Sequence, residues 1–332
     1  MTTPLLQVTD LEKRFPQGRG LFRAPKVVHA VNGVSLEIAA RETLALVGES
    51  GSGKTTVGRT ILRLLDADAG SVRFGGDDVL AAGGPALKAL RRRMQIVFQD
   101  PYGSLDPRMT IGASVAEGIE IHRLLPKAAI PGRVEQLLGE VGLEPDARLR
   151  YPHEFSGGQR QRIGIARALA VGPEFVVLDE PVSALDVSVQ AQVLNLLLDL
   201  QRDRGLAYLF VAHDLSVVRQ VAHRIAVMYF GRIVETGDRD AVLDRPRHPY
   251  TRALISAVPE PDPEHQRIRI VLPGDPPNPT TLPAGCPFAG RCFHPAKNAR
   301  CQTERPDLRP VDGALVACHH AETFSTGKTQ PQ

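Results

Sequence analysis

Residues 43–47, T-L-A-L-V, run without a break into Gly48-Glu49-Ser50-Gly51-Ser52-Gly53-Lys54-Thr55-Thr56. The apolar run reads as a buried strand and Thr56–Leu65 reads as a helix. The residues between them fit G-x-x-x-x-G-K-[ST], the phosphate-loop pattern, in the strand–loop–helix context it requires. Glycines let the backbone curl so that successive N–H groups along Gly48–Thr56 face one phosphate. The following helix aims the positive end of its dipole at the same point. Lys54 is placed to reach the β- and γ-phosphates of a nucleotide, and the Thr55 hydroxyl to ligate Mg²⁺. A glycine-rich surface turn would require neither the preceding strand nor a Lys-Thr pair at a helix start.

A second acidic site follows Phe175–Leu178, four apolar residues that read as a buried strand ending in Asp179-Glu180. In a phosphate-loop protein an aspartate at such a strand end holds Mg²⁺, directly or through water. Glu180 would then stand nearer the γ-phosphate and polarise the attacking water as general base. Two acids after a strand mark only a turn when they stand alone; here the upstream phosphate loop gives them a role.

Further short apolar runs at Met94–Phe98, Tyr208–Ala212 and Arg224–Tyr229 read as strands of a mostly parallel sheet, buried on both faces. A helix is expected over Ser188–Arg204, where Val189, Val193, Leu196, Leu197 and Leu200 recur at helical spacing. Strand–helix alternation of this kind predicts an α/β fold. The segment Pro16–Val28 reads as an exposed loop joining two N-terminal strands, residues 100–171 as a helical subdomain, and Pro259–Pro283 as extended chain. Composition shifts near residue 250, since the last 82 residues hold 13 of the 27 prolines and all four cysteines. The expected organisation is a nucleotide-binding domain over 1–250, an extension over 251–325 and a tail over 326–332. The 40 basic residues are nearly matched by 37 acidic ones, which gives no argument for a nucleic-acid partner. No apolar run approaches the length of a membrane-spanning helix, and charge enters the N-terminus too early for a secretory signal, so a cytosolic location is the default expectation.

Between the two phosphate-related motifs lies Phe155-Ser156-Gly157-Gly158-Gln159-Arg160-Gln161-Arg162. Here the sequence resembles the ATP-binding-cassette (ABC) ATPases, whose signature is S-G-G-Q. The resemblance implies a P-loop ABC cassette: a RecA-like core, an N-terminal antiparallel β subdomain and a helical subdomain. It also implies that Ser156, Gly157, Gly158 and Gln159, at the start of a helix over Gln159–Ala170, meet the γ-phosphate held by a second cassette. The other family motifs occur in order. Gln99 resembles the Q-loop glutamine, which touches Mg²⁺ or water. Ser183-Ala184-Leu185-Asp186 resembles the D-loop, with Asp186 at the dimer interface. His213 resembles the H-loop histidine on the γ-phosphate, and Phe15 the aromatic that stacks on adenine, although Phe15 reads equally as a core residue of the first strand. Arg91–Thr110, Asp179–Gln192 and His248-Pro249-Tyr250-Thr251 resemble the oligopeptide/dipeptide importer subgroup, and the Gly18–Ala30 insertion resembles its second ATPase subunit. The implied partners are a second, paralogous cassette, two transmembrane permease subunits and, indirectly, an extracytoplasmic binding protein, with this chain peripheral on the cytoplasmic face of the membrane. Nickel and glutathione importers share the same cassette. A soluble ABC ATPase of DNA repair or translation would carry coiled coils, DNA-binding inserts or two cassettes, and a P-loop kinase or GTPase would lack S-G-G-Q.

Cys286, Cys292, Cys301 and Cys318 are the chain's only cysteines and lie in one proline-rich segment. Such clustering suggests a staple. Structural zinc commonly uses C-x₂₋₄-C pairs, absent here, though His294 or His319 could substitute. Disulfides suit secreted proteins, and unligated buried thiols remain open. A Cys₄-ligated [4Fe–4S] cluster is the favoured expectation, because widely spaced thiolates can serve one and the spacing resembles that of the importer extension.

Overall fold

Every residue of the strands Thr43–Val47, Phe175–Asp179 and Ala207–Ala212 is buried, which is why they read as continuous apolar runs rather than alternating ones. The computed structural model describes residues 3–17, 26–258 and 269–323. Most of the expected Pro16–Val28 loop and Gly18–Ala30 insertion, much of Pro259–Pro283 and the 326–332 tail lie outside the described residues. The chain falls into two units: Met1–Leu5, Ile38–Thr43 and Phe74–Val211 form one, and Leu6–Glu37, Leu44–Arg73 and Ala212–Gln332 the other.

In the first unit, Met94–Val97, Phe175–Asp179 and Ala207–Ala212 run parallel, with Ile96 opposite Val177 and Val177 opposite Leu209. The expected helical subdomain is present. Helices Ile111–Ile121, Ile130–Glu140 and Gly157–Leu169 pack together, joined by 3₁₀ turns. Ile111, Val115 and Ile119 bury one stripe of the first of these, at a spacing of one helical turn. Its start is capped by the Thr110 hydroxyl, which accepts from the Ala113 N–H at 3.3 Å. Helix Val187–Arg204 buries Val193, Leu197 and Leu200 and stops at Gly205, whose φ of 67° is left-handed. A helix at Gly84–Arg93 lacked a readable stripe, since it buries only Leu90.

In the second unit, Thr43–Val47 runs parallel to Arg224–Tyr229, and Arg232–Asp238 returns antiparallel beside the latter. A second sheet orders Lys26–Ile38, Leu6–Gln17 and Ala69–Phe74 side by side. The helix after the phosphate loop spans Lys54–Ile61 and ends four residues before the expected Leu65. The C-terminal extension extends the main sheet of this unit. Ala314–Val316 pairs antiparallel with Arg232–Asp238, placing Val316 opposite Glu235, and Arg309–Val311 pairs with Ala314–Val316 in turn. Residues 269–283 carry neither helix nor strand.

Glu235 ties these pieces together. Its side chain is fully buried, and its carboxylate accepts the backbone N–H groups of Arg247 at 2.7 Å and His248 at 2.9 Å, at the entry to helix Pro249–Ser256. Replacing it strands two buried donors, each costing about 1–3 kcal/mol. Glu235→Ala is therefore expected to lose about 3 kcal/mol of stability, read as a lowered midpoint in urea at unchanged slope.

Candidate functional site: a phosphate loop, a carboxylate strand end and a signature helix

Gly53 closes the phosphate loop as the N-cap of helix Lys54–Ile61, with φ of 105°. A Cβ on Gly53 would stand 2.2 Å from the Ala30 carbonyl oxygen, and one on Gly48 would stand 2.1 Å from the Met228 carbonyl oxygen. Both approaches are closer than any side chain tolerates, so the strand neighbours on either side dictate glycine at these two positions. Gly51 also has positive φ, at 79°, with open space around it. The loop closes on itself: the Ser52 N–H donates to the Glu49 carbonyl at 3.2 Å, and Gly231 donates to the Ser52 carbonyl at 2.9 Å. Lys54 is 5 % exposed, and its Nζ donates to the carbonyls of Gly48 at 2.8 Å and Glu49 at 3.0 Å. An ammonium fixed inside the curl keeps positive charge where a phosphate would lie. Ser50 and Gly51 are partly or fully exposed, and Thr55 and Thr56 are half-buried at the helix start. The buried ammonium and the helix start beside it fit an anionic group such as a phosphate.

Phe15 is half-buried on the strand Leu6–Gln17, with Lys13 Nζ 5.4 Å from its ring centroid. His213 is exposed directly after Ala207–Ala212.

In the other unit, Asp179 ends its strand 1 % exposed. Glu180 follows with φ of 48°, a left-handed conformation that non-glycine residues seldom take and that gathers at functional sites. Its N–H donates to the Val211 carbonyl at 3.0 Å, and its carbonyl accepts the Ser183 hydroxyl at 3.1 Å. These contacts hold the bend and turn the side chain away from the strand's path. Gln99, two residues past Met94–Val97, donates its amide to Glu180 Oε2 at 2.9 Å. Sequence motifs 81 residues apart are thus in direct contact.

The signature helix spans Gly157–Leu169, two residues earlier than expected at its start. Ser156 and Gln159 form a reciprocal capping box, with Gln159 N–H to Ser156 Oγ at 3.3 Å and Ser156 N–H to Gln159 Oε1 at 3.0 Å. The residues of the S-G-G-Q motif thus cap their own helix. A Cβ at Gly158 would meet Val189 Cγ1 at 2.3 Å, so the helix Val187–Arg204 holds the signature turn by close approach. Asp186 is the exposed N-cap residue of that helix, without a side-chain capping bond.

The four cysteines are free thiols, so the disulfide alternative is absent from the structure. They converge: all four line one cavity, together with His248 and His294. The favoured [4Fe–4S] expectation is not supported, however. Among the described residues no three His, Cys, Asp or Glu side chains stand as a metal-holding group. The cavity that the four cysteines line measures about 20 Å³. Burial pushes the thiols toward the neutral form, Cys286 up to about 12 and Cys318 up to about 11.

Two residues that the sequence reading did not assign to the site touch the phosphate loop. The Tyr250 hydroxyl accepts the Glu49 N–H at 2.7 Å, and Arg291 makes two bonds to the Glu49 carboxylate, at 2.8 and 3.2 Å.

The family model described as "ABC transporter" matches residues 31–183, and that described as "Oligopeptide/dipeptide transporter, C-terminal region" matches residues 234–301. A probable peptide ABC transporter ATP-binding protein of Sinorhizobium fredii is 50 % identical over 321 residues, covering 96 % of this chain and 90 % of its own length. The chain belongs to the ATP-binding subunits of ABC transporters, in the oligopeptide/dipeptide group. A di/tripeptide transport ATP-binding protein of Pseudomonas aeruginosa is 48 % identical over 322 residues, covering 96 % of this chain and 98 % of that protein. A glutathione import ATP-binding protein of Escherichia coli is 55 % identical over 273 residues, 82 % of this chain but 44 % of that protein. Among solved structures, an ATP-binding cassette in a dimeric post-hydrolysis state with ADP and Pi superimposes with a TM-score of 0.63 at 26 % identity, over 70 % of this chain and 98 % of that one. The ABC cassette fold expected from the motifs is therefore the fold of this subunit, and the subunit is an ATPase.

The crowding at Gly53 yields a direct test. Gly53→Ala must shift either the Ala30 backbone or the loop, and we expect at least a tenfold loss of nucleotide affinity, measured by calorimetric titration with ADP. Gly51→Ala, where nothing lies within 4 Å, should lose less.

Proposed function

We propose that this subunit powers import of di- or oligopeptides through an ABC transporter, working as a peripheral protein on the cytoplasmic face of the membrane. Its partners in this reading are a second cassette, two transmembrane permease subunits and, indirectly, an extracytoplasmic binding protein. The observation that carries the reading is near-50 % identity along almost the whole chain to peptide-transport subunits, including the C-terminal region that defines the oligopeptide/dipeptide group. Among the described residues no helix is long and apolar enough to cross a membrane, in keeping with a peripheral subunit. Glutathione is a second cargo reading, favoured by the 55 % identity to the glutathione import protein; glutathione is itself a small peptide.

In this reading residues 1–250 form the nucleotide-binding domain and 251–325 the extension. Lys54 and the loop amides hold the nucleotide phosphates, Phe15 faces the adenine, and Thr55, Asp179 and Gln99 hold Mg²⁺. The metal neutralises charge on the β- and γ-phosphates. Glu180 accepts the proton of the attacking water, and Gln99 holds the carboxylate in place. His213 contacts the γ-phosphate. Ser156–Gln159 and Asp186 serve the nucleotide of the partner cassette, so each hydrolytic site takes parts from two chains. Support for the general base comes from the left-handed Glu180 and its bond to Gln99.

Glu180→Gln keeps the shape and the contact with Gln99 but removes the base. It should retain ATP binding and lose hydrolysis at its own site by about a hundredfold or more, measured by phosphate release from the assembled transporter. Hydrolysis within a fewfold of the parent would reject Glu180 as the base.

The metal reading of the four-cysteine cavity, a [4Fe–4S] cluster or zinc, is a separate proposal. Its support is the convergence of four thiols; the lack of a ligating group among the described residues weighs against it. Anaerobic purification with iron, sulfide and zinc analysis decides it: stoichiometric iron and sulfide establish a cluster, zinc alone replaces it, and neither leaves free thiols.

A further inference from the structure

The phosphate loop is held from outside by the C-terminal extension. Glu49 is the second residue of the loop, and three of its groups are engaged. Its N–H donates to the Tyr250 hydroxyl at 2.7 Å, its carbonyl accepts from Lys54 at 3.0 Å, and its carboxylate receives the fork of Arg291 at 2.8 and 3.2 Å. A bidentate guanidinium–carboxylate pair fixes orientation as well as distance. Here it is largely withdrawn from water, at 11 % side-chain exposure for Arg291 and 31 % for Glu49. The Gly48–Glu49 peptide therefore has its carbonyl held by Lys54 and its N–H held by Tyr250, which fixes the plane from which the remaining loop amides fan out.

Neither holding residue is loosely placed. Tyr250 lies in helix Pro249–Ser256, is fully buried, and packs on Tyr229 with centroids 4.6 Å apart. Phe288, 1 % exposed, closes the cluster against Tyr229 at 5.3 Å and Tyr250 at 5.6 Å. Arg291 follows in the 3₁₀ turn Ala289–Arg291, between Cys286 and Cys292 of the thiol cavity. The turn that carries Arg291 is thus built by the same segment that gathers the four thiols. The interaction with Glu49 strengthens the charged form of Arg291 further, leaving it a fixed cation beside the loop.

We propose that Tyr250, in the helix that leads into the C-terminal extension, and Arg291, within the extension, are positioning residues of the phosphate loop, through which this C-terminal part of the chain sets the subunit's nucleotide affinity. The inference rests on the nucleotide reading of that loop and adds a role for the extension in it. Neither residue touches nucleotide in this scheme. Arg291 acts through the Glu49 carboxylate, and Tyr250 through the Glu49 N–H. Loss of either lets the peptide plane turn, and each state the free loop gains must be given up again on binding.

The test is calorimetric titration of the full chain with ADP, below the thermal transition of every variant. Arg291→Gln should weaken affinity about tenfold, within the usual range for coupling between sites. Arg291→Lys, which keeps the charge but not the fork, should fall between. Tyr250→Phe, which removes only the hydroxyl, should weaken binding severalfold with the aromatic cluster retained. In an Glu49→Gln background, Arg291→Gln should add little, because the pair is already broken. A thermal melt accompanies each titration. Variants that melt earlier but bind ADP as the parent does would show that Arg291 and Tyr250 only stabilise the fold, and would overturn the inference. So would full additivity of Arg291→Gln with Glu49→Gln. A parent chain that binds no nucleotide would instead sink the nucleotide reading itself, and this inference with it.

Discussion

Two backbone carbonyls, of Ala30 and Met228, stand where the Cβ atoms of Gly53 and Gly48 would be. Much of the site depends on that crowding. It presses the loop into a curl that only glycine can follow, and the curl in turn lays the Gly48 and Glu49 carbonyls beneath the Lys54 ammonium. A long cationic side chain would otherwise seek water. Here it is buried because those carbonyls accept it, so the strand Lys26–Ile38 and the strand Arg224–Tyr229 place charge at the loop without contributing a charged residue of their own.

A comparable economy governs the other unit. Asp179 and Glu180 are adjacent in sequence but leave their strand in different senses, because Glu180 takes a left-handed turn pinned by Val211 and Ser183. One carboxylate stays buried at the strand end while the next swings to meet Gln99. Neighbouring acids thus acquire different surroundings from a single dihedral angle, and the signature helix is shaped by the close approach of Gly158 and Val189.

The phosphate loop, the buried strands and the signature helix were legible in the sequence because each is a local pattern: an apolar run, a glycine spacing, a capping box. Thr43–Val47 and Arg224–Tyr229 appear with the expected limits, and Phe175–Leu178 gains only Asp179. What sequence could not show is long-range. Tyr250 and Arg291 reach Glu49 across 201 and 242 residues, and nothing in their own neighbourhoods announces a partner, although Tyr250 sits within the quoted His248–Thr251 motif and Arg291 directly precedes Cys292. The helix Gly84–Arg93 escaped because its single buried leucine makes no stripe. The cysteines are a mixed case: folding brings the four thiols to one cavity, as a staple requires, but among the described residues no metal-holding group is formed. The strands Arg309–Val311 and Ala314–Val316 are three residues each and become strands by pairing, the second onto Arg232–Asp238 and the first onto the second, not by their own pattern.

The loop is already curled to receive phosphate, with the Glu49 N–H held from outside by Tyr250. Residue-resolved hydrogen exchange of the full chain, with and without saturating Mg-ADP, tests this most directly. The Glu49 amide, bonded to Tyr250, should be protected in the free chain and change little on binding, while the amides of Gly51 and Gly53 should gain strong protection when nucleotide is added. Fast exchange at Glu49 in the free chain, or no new protection at Gly51 and Gly53 with nucleotide, would contradict this.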